Sequence, residues 1–86
     1  MKNIIVTVTD RQQRFMYDME VPIDQQGRKL AEDMMDVLNT YGDDIKLHAD
    51  YRCLFLNRQG RVMTDHETLA EAGAWNGDYI TIVSKV

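Results

Sequence analysis

From Lys2 to Thr9 polar and apolar side chains alternate, which places Ile4, Val6 and Val8 on one face and Asn3, Ile5, Thr7 and Thr9 on the other. A period of two is the signature of a half-buried strand. The polar stretch Asp10-Arg11-Gln12-Gln13-Arg14 reads as a hairpin turn. Alternation resumes from Phe15 to Val21, with Phe15, Tyr17, Met19 and Val21 on one side and Met16, Asp18 and Glu20 on the other, so the first two strands are expected to pair antiparallel. Pro22 closes the second strand, because it has no N–H to give to a ladder.

From Asp24 the period becomes helical. Leu30, Ala31, Met34, Val37, Leu38 and Tyr41 recur at three- and four-residue steps, opposite Arg28, Lys29, Glu32, Asp33, Asp36 and Asn39. Asp24 is the expected N-cap and Gly42 the expected C-terminal stop. Gly27 costs roughly 1 kcal/mol relative to alanine inside a helix, so the first turn is expected to be loose or to start later. A polar connection, Gly42 to Asp50, leads to a strand over Tyr51–Asn57 that is apolar on both faces. A turn at Asn57-Arg58-Gln59-Gly60 and a short strand at Arg61-Val62-Met63 follow. Thr64-Asp65-His66-Glu67 has the spacing of a capping box and predicts a brief helical turn through Leu69 to Ala72, ending at Gly73. Asn76-Gly77 makes a tight turn into a last alternating strand, Tyr79–Val83, with Ile80 and Ile82 inward.

This order gives an α+β class: a mixed four- to five-stranded sheet packed on one α-helix. With a right-handed crossover the first and last strands lie parallel in the middle of the sheet, a β-grasp arrangement. At 86 residues the chain has room for one core, so residues 1–86 are read as a single domain. That size lowers the expectation of an enzyme, because a catalytic cleft would have to be carved from the only core.

Charge and composition exclude some partners. Fourteen acidic residues against ten basic ones give a net charge of −4, and the basic side chains are scattered, so no nucleic-acid surface is expected. No apolar run approaches the ~18–20 residues that span a bilayer, and the N-terminus carries no apolar signal core. The expectation is a cytoplasmic protein without membrane insertion. The single cysteine, Cys53, agrees with a reducing compartment.

Candidate chemistry is sparse. Cys53 with His48 or His66 as base would make a nucleophile, but strand alternation aims Cys53 into the core beside Phe55, and no oxyanion-hole motif accompanies it. His48, Asp50 and His66 match no metal-ligand spacing. The five glycines stand singly, so there is no phosphate loop, and no cofactor is expected. Glu32, Asp33 and Asp36 read as the solvated face of the helix. Met19 and Met34 belong to the core by phase, with Met16 and Met35 at its margins.

The third strand offers more. With Cys53 and Phe55 toward the helix, Leu54 and Leu56 face away, and the same phase exposes Ile5, Thr7, Thr81 and Val83 beside them. An apolar cluster on an open sheet face is a candidate protein-binding site. The expected partner is a protein, with the chain monomeric or weakly self-associating.

Along nearly its whole length the chain resembles ubiquitin and its relatives, most clearly through Arg52-Cys53-Leu54-Phe55, Glu67-Thr68-Leu69-Ala70-Glu71-Ala72-Gly73 and Tyr79-Ile80-Thr81-Ile82-Val83. Within them it is similar to the YukD/EsaB group, on its length, the Asn57 turn and the string from Leu69 through Gly73-Ala74-Trp75-Asn76-Gly77-Asp78. That resemblance implies an accessory or regulatory role in bacterial type VII (WXG-type) secretion, with a secretion-system component as partner. Conjugated modifiers and sulfur carriers close with a flexible Gly-Gly tail. Here Ser84-Lys85-Val86 follows the last strand directly, so neither chemistry is expected. Two alternatives stay open: the ubiquitin-like domain of a larger secretion subunit, and an atypical modifier or sulfur carrier.

Overall fold

The computed structural model describes residues 3–41 and 53–84. Its elements are β1 (Asn3–Asp10), β2 (Met16–Pro22), α1 (Gly27–Tyr41), β3 (Cys53–Leu56), β4 (Arg61–Val62) and β5 (Tyr79–Val83). The five strands form one sheet in the order β2-β1-β5-β3-β4. β1 and β5 run parallel at its centre, and every other pair is antiparallel. The α1 stop expected at Gly42, the polar connection, and the start of the third strand at Tyr51 and Arg52 lie outside the described residues.

Strand phase assembles the core. Val6 and Val8 of β1 and Ile80 and Ile82 of β5 are almost wholly buried, as their alternation predicts. α1 covers them with Leu30, Ala31, Met34, Met35 and Leu38, while Leu69 closes the layer from the C-terminal loop. The helix face is turned slightly from the expected one: Met35 is buried, and Val37 is 43% exposed.

The third strand has the opposite phase to the one expected. Leu54 pairs with Ile82 and Leu56 with Ile80, and both leucines are 2% exposed, so they belong to the core. Cys53 and Phe55, half-buried, pair with Val83 and Thr81 on the other face. A strand apolar on both faces carries no phase of its own. Its neighbour sets it, because paired residues in a ladder point the same way.

The start of α1 is also fixed from outside. The helix begins at Gly27, not after Asp24, and its first amides find acceptors in the C-terminal loop: Gly27 N–H donates to the Glu67 carbonyl at 2.8 Å and Arg28 N–H to the Asp65 carbonyl at 3.1 Å. These contacts satisfy donors that a helix N-terminus otherwise leaves open. A Cβ at residue 27 would overlap the Thr64 carbonyl oxygen, so only glycine allows this approach.

Within that loop the expected capping box is half made. Thr64 N–H donates to Glu67 Oε1 at 2.8 Å, while the reciprocal pair is formed four residues later, between Thr68 N–H and Glu71 Oε1 (2.9 Å) and between Glu71 N–H and Thr68 Oγ1 (3.1 Å). It encloses a single turn that ends at Gly73 with φ +75°. In the Asn76-Gly77 turn, Asp78 N–H donates to the Trp75 carbonyl at 3.0 Å with φ +91° at Gly77, the form that has glycine at its third position. The turn delivers β5 alongside β1, with no hairpin formed.

Candidate protein-binding face

One side of the sheet carries α1, and among the described residues no helix packs on the other, open side. Register places Met16, Thr9, Thr81, Phe55 and Val62 side by side across all five strands of the open side. Met16 and Val62 are exposed at the ends of this row, and Phe55 is half-buried. Thr9 and Thr81 form a buried floor, 4% and 8% exposed. Their hydroxyls are turned to internal acceptors: Thr9 Oγ1 donates to the Phe15 carbonyl at 2.6 Å and Thr81 Oγ1 to Asn57 Oδ1 at 2.8 Å. What the centre of the row offers outward is therefore methyl and aromatic surface. Tyr79 and Ile5, each 49% exposed, extend it, and a concavity of about 330 Å³ lies between Met16, Phe55, Tyr79 and the Arg11–Gln13 turn.

Of the six residues expected to form this face, Ile5, Thr7, Thr81 and Val83 lie on it. Leu54 and Leu56 do not, for the reason of register given above. Phe55, Tyr79, Met16 and Val62 take part without having been foreseen. The inward Ile80 and Ile82 were legible, and pairing Leu54 and Leu56 with them would have identified Phe55.

Two charged clusters hold the rims. At the β1–β2 turn Asp10, 1% exposed, accepts from Arg14 N–H at 2.8 Å and from Arg14 Nε at 2.5 Å. Near Ile5, Arg58 bonds Asp78 and the Gly73 carbonyl while lying over the Trp75 ring, 3.6 Å from its centroid. Burial pushes the Asp78 carboxyl up, but the Arg58 guanidinium and the Trp75 N–H outweigh it and leave the group below the usual range. Trp75 remains 64% exposed. The sequence marked these residues only as a turn.

Cys53 opens to this face, not to the core as expected. His66 is exposed, and His48 and Asp50 lie outside the described residues. Among the described residues no three metal-binding side chains gather, and no helix is long and apolar enough to cross a membrane.

No protein-family model matches the chain, and no curated protein matches it. Solved structures do. The ubiquitin-like domain of an Arabidopsis thaliana protein superposes with a TM-score of 0.73 at 20% identity, covering 100% of this chain and 81% of its own. The N-terminal ubiquitin-like domain of the 4931431F19Rik protein gives 0.73 at 16% identity, covering 99% and 77%. A chain of the toluene 4-monooxygenase HD complex with the inhibitor 4-bromobenzoate also gives 0.73, at 14% identity, covering 96% and 99%. Strand order, the parallel central pair, the helix α1 packed on the sheet and these superpositions agree: the chain has the ubiquitin-like β-grasp fold.

Proposed function

We propose that the chain is a non-conjugated ubiquitin-like adaptor or regulator that binds a protein component of a bacterial type VII (WXG-type) secretion system. It docks through its open sheet face, in the cytoplasm, as a single domain that uses no cofactor and catalyses no reaction. The observation that supports protein binding is the row Met16–Thr9–Thr81–Phe55–Val62. Because the threonine hydroxyls are already satisfied internally, covering this row strips little water from polar groups. The pathway rests on the resemblance of Leu69 through Asp78 to the YukD/EsaB group.

Isothermal titration against the FtsK-like ATPase and the WXG-type effector of such a system tests both parts. Wild-type protein should bind one of them, and Phe55→Asp should weaken that binding at least ~tenfold, about 1.4 kcal/mol, while its far-UV circular dichroism stays native. Undiminished binding by the folded variant removes the face, and no binding by wild type removes the pathway.

A second reading, a domain of a larger subunit, draws on the two similar structures that are named as domains of other proteins. Intact mass of the protein from cells separates these readings. A larger polypeptide supports the second, and an adduct or thiocarboxylate on Val86 would instead favour a modifier or sulfur carrier.

A further inference from the structure

The open-face row carries one side chain whose chemistry binding does not use. Met16 is 54% exposed at the β2 end of the row, paired with Thr9, and lines the concavity of about 330 Å³ together with Phe55 and Tyr79. The other described methionines stand elsewhere. Met34, Met35 and Met63 lie in the core, none more than 8% exposed, and Met19 packs against that core. A peroxide must reach the sulfur to oxidise it, so among the described residues exposure singles out Met16. Register puts that sulfur where a partner docks.

We propose that Met16 is an oxidation site whose sulfoxide turns off the open face. The inference rests on the protein-binding reading of that face. The oxidant is hydrogen peroxide: a sulfur lone pair attacks one oxygen, the O–O bond breaks, and the departing hydroxide takes the proton and leaves as water. Sulfur loses two electrons and peroxide gains them. Methionine sulfoxide reductase reverses the step with two thiols, which become a disulfide while the sulfoxide oxygen leaves as water.

The consequence follows from what surrounds the sulfur. A thioether is a weak acceptor and offers adaptable apolar surface, whereas a sulfoxide is polar. The floor of the row cannot satisfy the new oxygen, because the Thr9 and Thr81 hydroxyls already donate to the Phe15 carbonyl and to Asn57 Oδ1. The sulfoxide therefore keeps its water, and a partner that covers the row must strip that water away. A sulfoxide drawn instead to Arg11 or Gln13, which line the same concavity, lies across the space that the partner needs. The fold itself is spared, since Met16 takes no part in the buried core.

The test treats wild type and M16L with hydrogen peroxide under native conditions, maps the oxidised positions by peptide mass spectrometry, and titrates both proteins against the same FtsK-like ATPase and WXG-type effector. Leucine keeps apolar bulk without the sulfur, and any oxidation at Cys53 or Met1 is common to both proteins. In wild type Met16 should convert to the sulfoxide while Met34, Met35 and Met63 stay thioethers and the far-UV circular dichroism stays native. Oxidised wild type should bind at least ~tenfold more weakly than untreated wild type, and methionine sulfoxide reductase with dithiothreitol should restore the affinity. M16L, whatever its starting affinity, should be unchanged by the treatment. Core methionines that oxidise together with Met16 overturn the site. Untreated wild type that binds, with the same affinity once Met16 is a sulfoxide, overturns the switch and leaves the adaptor reading standing. An equal loss of affinity in treated M16L assigns the effect to another residue and overturns the switch as well. Untreated wild type that binds neither partner overturns the adaptor reading, and the switch with it.

Discussion

Replacing Glu67 by glutamine should cost stability at neutral pH and nothing in strong acid. The carboxylate accepts from Arg61 Nη1 at 2.6 Å, Arg61 Nη2 at 3.0 Å and Thr64 N–H at 2.8 Å. The Arg61 hydrogen bond, chiefly, holds its pKa at about 2 against an ordinary 4.5. A folded pKa below the unfolded one contributes stability that is full above pH ~4.5 and is lost as pH falls toward 2. The interval between the two values sets an upper limit of about 3.4 kcal/mol. The Arg61 side chain is 45% exposed, so solvent screening reduces this to about 1–2 kcal/mol. Glutamine keeps the shape and one acceptor, so the comparison isolates the charge. Urea denaturation of both proteins between pH 7 and pH 2.5 measures it, since all other carboxylates titrate alike in the pair. A stability difference near 1–2 kcal/mol at pH 7 that shrinks steadily below pH 4.5 is expected. A difference that is constant with pH, or absent at pH 7, refutes the reasoning.

Gly27→Ala should destabilise by about 1–3 kcal/mol although alanine is the better helix former, because the new Cβ displaces the Thr64 carbonyl. A thermal midpoint equal to or above wild type would contradict this. Leu54→Ala should cost about 2–5 kcal/mol, and Phe55→Ala distinctly less, since only the leucine is fully buried. Denaturation midpoints in the reverse order would return the strand to the opposite phase. Native Cys53, half-buried on the open face, should react with iodoacetamide at a rate that low urea does not change. A rate that rises in step with global unfolding would place the thiol in the core.

Much of the fold was legible because most elements carry their own phase. β1, β2 and β5 alternate cleanly, and Val6, Val8, Val21, Ile80 and Ile82 are buried as their phase predicts, although Thr9, Thr81 and Val83 of the other face are buried as well and Tyr17 is exposed. β3 does not alternate, and its orientation came from pairing with Ile80 and Ile82, which lie 24 residues beyond Leu56 and 28 beyond Leu54. Gly27 signalled a later start of α1, but what fixes that start was hidden for a similar reason. Asp24 has the side chain of an N-cap, but the acceptors for the first helical amides are backbone carbonyls at Asp65 and Glu67, which no side-chain pattern reveals. Asp10 read as an ordinary polar turn residue. Its burial depends on Arg14 folding back over it. On the candidate face, Ile5, Thr7, Thr81 and Val83 followed from alternation, whereas Phe55 and Val62 required the register.

The parallel seam between β1 and β5 also governs how the molecule can be made. β1 is synthesised first among the strands and β5 last, yet they are neighbours at the centre of the sheet. On the ribosome the emerging β1–β2 hairpin has no partner for the inner edge of β1, and an isolated hairpin is marginally stable in water. The opening contacts of α1 wait as well, since Asp65 and Glu67 are translated later. Cooperative folding is therefore deferred until β5 has left the exit tunnel, and a nascent chain halted before it exposes Val6 and Val8 to chaperones and proteases.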